Sequence, residues 1–186
     1  MGMKDSVLTR VDHPLEPLTG EEILKAVAIL KDKQNLTLAS RFEQVGLHEP
    51  LKEVVLNFKE GDPIKREAFA IVVDTNDSKT YEAVVSITDE EVVSYEHIPG
   101  VQPSFLFEEY SELEITVKKN PEFHAALKKR GIDDPDLVMV DPWSVGDTGI
   151  PEDNGKRLAK ALCFVRKFPE DNAYAHPLTG LIPVVD

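Results

Sequence analysis

The chain has 186 residues, 30% of them charged and 41% hydrophobic, with a net charge of −13. That length allows one large domain or two small ones with a genuine core. The acidic balance argues against nucleic acid and anionic membranes, and favours only cationic small molecules at a distance. A single cysteine, Cys163, excludes an intrachain disulfide and a cysteine zinc site.

No apolar run reaches the ~20 residues of a membrane helix. The start, "MGMKDSVLTR", lacks the apolar core of a secretory signal, so a cytoplasmic setting is expected. Gly2 and Ser6 fit a myristoylation pattern that is common by chance.

The first predicted element is a helix opened by Thr19 and Glu22, spaced as a capping box. Ile23, Val27 and Leu30, with Leu24 and Ala26 beside them, supply its apolar stripe, and "KDKQN" ends it. "SRFEQVGL" reads as a strand ending near Gly46, and "LKEVVLNF" as a short helix with Leu51, Val54, Val55 and Phe58 in period. After the break at "GDP", "EAFAIVV" reads as a central strand. "TYEAVVSIT" alternates, with Tyr81, Ala83, Val85 and Ile87 on one face, and "EVVSYEHI" follows as a further strand. Short polar turns between these strands predict an antiparallel meander.

"IPGVQPS", 98–104, marks a domain boundary, giving domains 1–98 and 99–186. The second half begins again with a helix, "FLFEEYSELEITVKKN", striped by Leu106, Tyr110, Leu113 and Val117. Asn120 and Pro121 open another helix with Phe123, Ala126 and Leu127 inward, closed by Lys128, Lys129, Arg130 and Gly131. "DLVMVDPWSVG", "RLAKALCFVRKF" and "GLIPVVD" then read as strands, with Leu181–Asp186 a buried one. Helix first and antiparallel strands after, twice over, is α+β.

Chemistry is sparse. His13, His48, His97, His124 and His176 form no H-x-H, H-x-x-x-H or H-E-x-x-H. There is no G-x-S-x-G and no glycine-rich phosphate loop. Cys163, between Leu162 and Phe164, reads as an inert small hydrophobe. The carboxylates Glu108, Glu109, Asp133, Asp134, Asp136, Asp89, Glu90 and Glu91 read as solvated turns and helix faces. Two loops carry aromatics: "VDPWSVGDTG", where Trp143 is expected to close the core, and "FPEDNAYAHPLTG", where Tyr174 sits among polar residues. A hydrolase or isomerase pairing His176 with Asp171 has only proximity behind it.

At "HPLEPLTGEEI", "RFEQVGLHEP", "EAFAIVVD…TYEAVVSI", "PEFHAALKKRGIDDPDLVMVDPWSVG" and "RLAKALCFVRKFPEDNAYAHPLTGLIPVVD", the chain resembles the N-terminal region of copper-containing primary amine oxidases. These stretches run in family order over nearly the whole chain. The resemblance implies two cystatin-like domains, N2 and N3, each a helix on a curved antiparallel sheet. It places the family's chemistry further along, in a catalytic domain with a copper ion on three histidines, an Asp base and a topaquinone made from the tyrosine of T-x-x-N-Y-[DE]. Tyr81, Tyr95, Tyr110 and Tyr174 are not preceded by Asn. No catalytic, cofactor-binding or metal-ligating residue is therefore expected here, and this polypeptide alone is expected to bind no copper and oxidise no amine.

In a complete relative, "GLIPVVD" would lead into the catalytic domain, the principal partner implied. The full enzyme would be a homodimer converting a primary amine such as tyramine, oxygen and water into an aldehyde, ammonia and hydrogen peroxide. The resemblance further implies that Tyr174 lines the substrate channel. The alternative is a free-standing cystatin-like binding or regulatory module.

Overall fold

The computed structural model describes residues 11–186, so the signal and myristoylation readings lie outside the described residues. The chain divides into two compact units, 1–103 and 104–186. Both are α+β with purely antiparallel sheets.

In the first unit, helix α1 (Gly20–Lys33) opens on the expected capping box. The Thr19 hydroxyl accepts from Glu22 N–H at 3.2 Å, and the Glu22 carboxylate accepts from Thr19 N–H at 2.8 Å. Four strands follow, β1 (Ser40–Leu47), β2 (Glu67–Asp74), β3 (Lys79–Ser86) and β4 (Glu91–Ile98), in the order β1-β2-β3-β4. A short helix, α2 (Lys52–Asn57), lies between β1 and β2. Ala26 and Leu30 of α1 pack on Ala68, Ala70, Ala83, Val85 and Ile87. The alanines let the helix approach the sheet closely, and Leu30 fills the space between them.

Both edge strands place core residues three apart, against the two-residue alternation of a regular strand. Phe42 and Val45 of β1 pack on this core, as do Val92 and Tyr95 of β4. Irregularities in register reconcile the spacing: the β1–β2 pairing skips between Phe42 and Gln44, and β3–β4 between Val84 and Val85. Each bulge inserts a residue and returns the next side chain to the buried face.

The apolar faces expected of the helices are partly wrong. Leu24 is 71% exposed, because α1 is rotated to turn Ala26 and Leu30 inward. On α2, Leu51, Val54 and Leu56 are exposed as well, and the helix buries no residue.

The second unit comprises α3 (Phe107–Lys119), α4 (Pro121–Lys128), β5 (Val138–Ser144), β6 (Ala159–Val165) and β7 (Val184–Val185), with sheet order β5-β6-β7. Asn120 caps α4 as expected, its side-chain oxygen accepting from Glu122 N–H at 2.8 Å. The helix ends in a Schellman arrangement: Ile132 N–H donates to the Leu127 carbonyl, and Gly131 N–H to that of Lys128. Gly131 has φ 75°, which favours a residue without Cβ. Leu113, Val117, Phe123 and Leu127 pack on Val138, Val140, Ala159, Ala161 and Cys163. Tyr110 lies at the margin of the α3 stripe, edge-on to Phe105 at 5.9 Å.

The terminal segment is not the buried strand expected. Only Val184 and Val185 pair with β6, and Ile182 and Val184 are exposed. It forms a broken edge: Leu178 N–H donates to the Cys163 carbonyl, and Ala161 N–H to that of Pro183, with the chain looping outward between. Pro183 has no N–H to give, which confines it to such an edge.

Candidate functional site

Both units tie the start of their long helix to a strand by the same device. In the first, the Arg66 guanidinium forks onto Glu22, with Nε to Oε1 at 2.8 Å and Nη2 to Oε2 at 3.1 Å. It also donates to the carbonyls of Glu16 and Pro17. In the second, Arg157 forks onto Glu109, with Nη2 to Oε2 at 2.7 Å, and donates to the Ser104 carbonyl. Glu22 and Glu109 are each the third residue of their helix and each accepts an N–H from the residue before it. Arg66 and Arg157 precede β2 and β6, the second strand of each sheet.

The Arg66 bonds draw the Glu22 carboxyl below its ordinary value against the opposing effect of burial. Burial alone would raise Glu109, but Arg157 and the Leu106 N–H outweigh it. Glu109 is thus a paired, partly buried group, not the solvated carboxylate expected. A cleft of about 170 Å³ opens beside it, lined by Phe105, Glu109, Leu113, Pro142, Arg157 and Val185 among others. That is below the ~300–1,000 Å³ of small-molecule sites.

The notable surface is the outer face of the second sheet. Val138 and Val140 of β5, Ala159, Ala161 and Cys163 of β6, and Val185 of β7 point to the core. By alternation, Met139, Asp141, Trp143, Lys160, Leu162, Phe164 and Val184 lie on the opposite face, with Lys160 paired to both Trp143 and Val184. Trp143 is 58% exposed on β5, its indole N–H donating to Asp141 at 3.0 Å, so it does not close the core as expected. Pro142 is accommodated because β5 is an edge strand. Tyr174 sits in a 3₁₀ turn over 173–175, is 59% exposed, and meets Phe164 edge-on at 5.0 Å. These side chains make a mixed face, in which aromatic and aliphatic groups stand around the charged Asp141 and Lys160.

The histidines serve local structure. His48 meets Glu67 at 2.9 Å, His124 contacts the Lys118 carbonyl, and His176 meets Asp171 at 3.2 Å. Asp171 also accepts the Lys167 N–H, so this carboxylate closes a loop. Among the described residues, no group of three or more His, Cys, Asp or Glu is placed to hold a metal ion. The described residues therefore do not fit the copper that the family implies. Also among the described residues, no helix is long and apolar enough to cross a membrane. Cys163 is a free thiol, buried, and pushed up to about 11 by that burial. It should resist a disulfide reagent in the native chain and react at one equivalent on unfolding, as a thiol titration would show.

These observations define a tandem of helix-on-antiparallel-sheet units with exposed aromatic residues on the second. Residues 19–95 match the AGAO-like N2 domain model, and residues 108–186 match the copper amine oxidase N3 domain model. The chain belongs to the copper amine oxidase family, as its N2 and N3 domains.

It is 41% identical over its whole length to a primary amine oxidase of Arthrobacter sp. (strain P1), of which it covers 28%. It is 34% identical, over 97% of its length, to a peroxisomal copper-containing diamine oxidase of Nicotiana tabacum, again covering 28% of that protein. The crystal structure of a copper-containing benzylamine oxidase from Hansenula polymorpha superposes with a TM-score of 0.76 at 22% identity, over 92% of this chain and 28% of that one. The chain thus spans about 28% of the length of such relatives.

Proposed function

We propose that this chain is the non-catalytic N-terminal region of a copper- and topaquinone-dependent primary-amine oxidase. In this reading, residues 1–98 form an N2-like and 99–186 an N3-like domain, both cystatin-like. The region scaffolds the catalytic domain of a homodimeric enzyme that oxidises primary amines, tyramine among them. The observation that carries it is the pair of domain matches, N2 over 19–95 and N3 over 108–186, in a chain that spans about 28% of the copper amine oxidases it resembles. Aggregation or strong binding of a hydrophobic dye by the isolated chain would count against a free-standing binding module.

Tyr174 would line the substrate channel. The copper and quinone of the catalytic domain would supply the redox chemistry, and the part left to this chain is selection. A protonated amine is attracted to the face of an exposed ring by roughly 0.5–2 kcal/mol. In the full-length protein, Tyr174→Ala should lower kcat/KM for protonated primary amines by about 2- to 30-fold, mostly through a higher KM. An unchanged KM across a panel of amines would remove Tyr174 from the channel.

A further inference from the structure

We propose that Asp171 is the positioning residue of the Tyr174 loop, its carboxylate joining the two ends of that loop so that the tyrosine ring stays seated on Phe164. The consequence for amine selection rests on the channel reading above; the geometry does not. The loop leaves β6 after Val165 and rejoins it where Phe164 bridges Pro177. Asp171 Oδ2 accepts from Lys167 N–H at 3.0 Å and meets His176 Nε2 at 3.2 Å. One oxygen therefore links the residue that opens the loop to the residue that closes it.

The closing residue is itself anchored, because the His176 carbonyl accepts from Val165 N–H at 2.9 Å. Inside the clasp, the Asn172 side chain accepts from Tyr174 N–H at 3.2 Å, and His176 N–H donates to the Ala173 carbonyl at 2.9 Å. A single 3₁₀ turn has poor hydrogen-bond geometry and little stability of its own. Bonds to a carboxylate are the stronger kind, so the clasp supplies the order that the turn lacks. The Lys167 N–H bond holds the Asp171 carboxyl below its ordinary value, in accord with a bound anion.

The test compares Asp171→Ala and Asp171→Asn in the 186-residue chain by NMR. In Asp171→Ala, the Tyr174 ring resonances should lose the shift imposed by Phe164, and the Lys167 amide should exchange about 10- to 100-fold faster. Asp171→Asn keeps an oxygen for Lys167 and should restore most of that protection. Unchanged ring resonances and exchange in Asp171→Ala would overturn the proposal. So would loss of the unit's fold, seen as a reactive Cys163, because the role assigned is local. In the full-length protein, Asp171→Ala should reproduce the rise in amine KM of Tyr174→Ala, with KM moving more than kcat. If Tyr174→Ala leaves the amine KM alone while the ring still responds to Asp171→Ala, the channel reading fails and the clasp stands.

Discussion

Arg66→Ala is expected to destabilise the first unit by about 3–5 kcal/mol, the range for breaking one side of a buried ion pair. The side chains of Arg66 and Glu22 are only 8% and 12% exposed. Removing the guanidinium strands a carboxylate that still has to cap α1, and leaves the carbonyls of Glu16 and Pro17 without their donor. Arg66→Lys should recover part of the loss, since an ammonium keeps the charge but cannot fork.

Acid unfolding gives a second readout. Glu22 is held below its ordinary 4.5 in the folded chain, so its contribution is complete above that value. The contribution is lost as pH falls through the lower folded value. Arg66→Ala should flatten this acid limb, and urea melts at several pH values between neutrality and 3 would measure it. An acid limb as steep as the wild type's would show that Glu22 owes little to Arg66.

Leu30→Ala should cost about 2–5 kcal/mol, because the residue is wholly buried among small neighbours that cannot collapse into the space. With a urea dependence of ~1–3 kcal/mol per M, the midpoint should fall by at least about 0.7 M. Leu24→Ala, on the same helix, should stay within about 0.5 kcal/mol of wild type. The pair distinguishes two versions of α1. If Leu24 were the inward residue, the two results would exchange.

That contrast marks where the sequence was informative. The boxed start of α1 and the Asn120–Pro121 start of α4 were legible because each is decided within four residues. The strand runs were legible from β-branched content and polar turns. The rotation of α1 was not, because leucine, isoleucine and valine occur nearly all round it, and the small Ala26 defines the contact. The irregularities that bring Phe42 with Val45, and Val92 with Tyr95, onto one face depend on the partner strand. Trp143 was misplaced because tryptophan is usually buried, and this one lies on the face away from the helices. Tyr174 could be singled out by its polar surroundings, but the clasp around it needed His176 and Asp171 in three dimensions. Arg66 offered no signal at all, lying 44 residues from the carboxylate it serves.

The Glu–Arg forks also have a polarity that restricts how either unit can drift. Each acid accepts a main-chain N–H at the head of a helix, and each base gives protons to main-chain carbonyls. Exchanging the two ends, as in a double Glu22→Arg, Arg66→Glu change, conserves net charge and the possibility of attraction. It still fails on both sides, since arginine accepts nothing and a carboxylate donates nothing. The charge reversals by which surface pairs readily covary are closed to these two positions, and the same lock holds at Glu109 and Arg157.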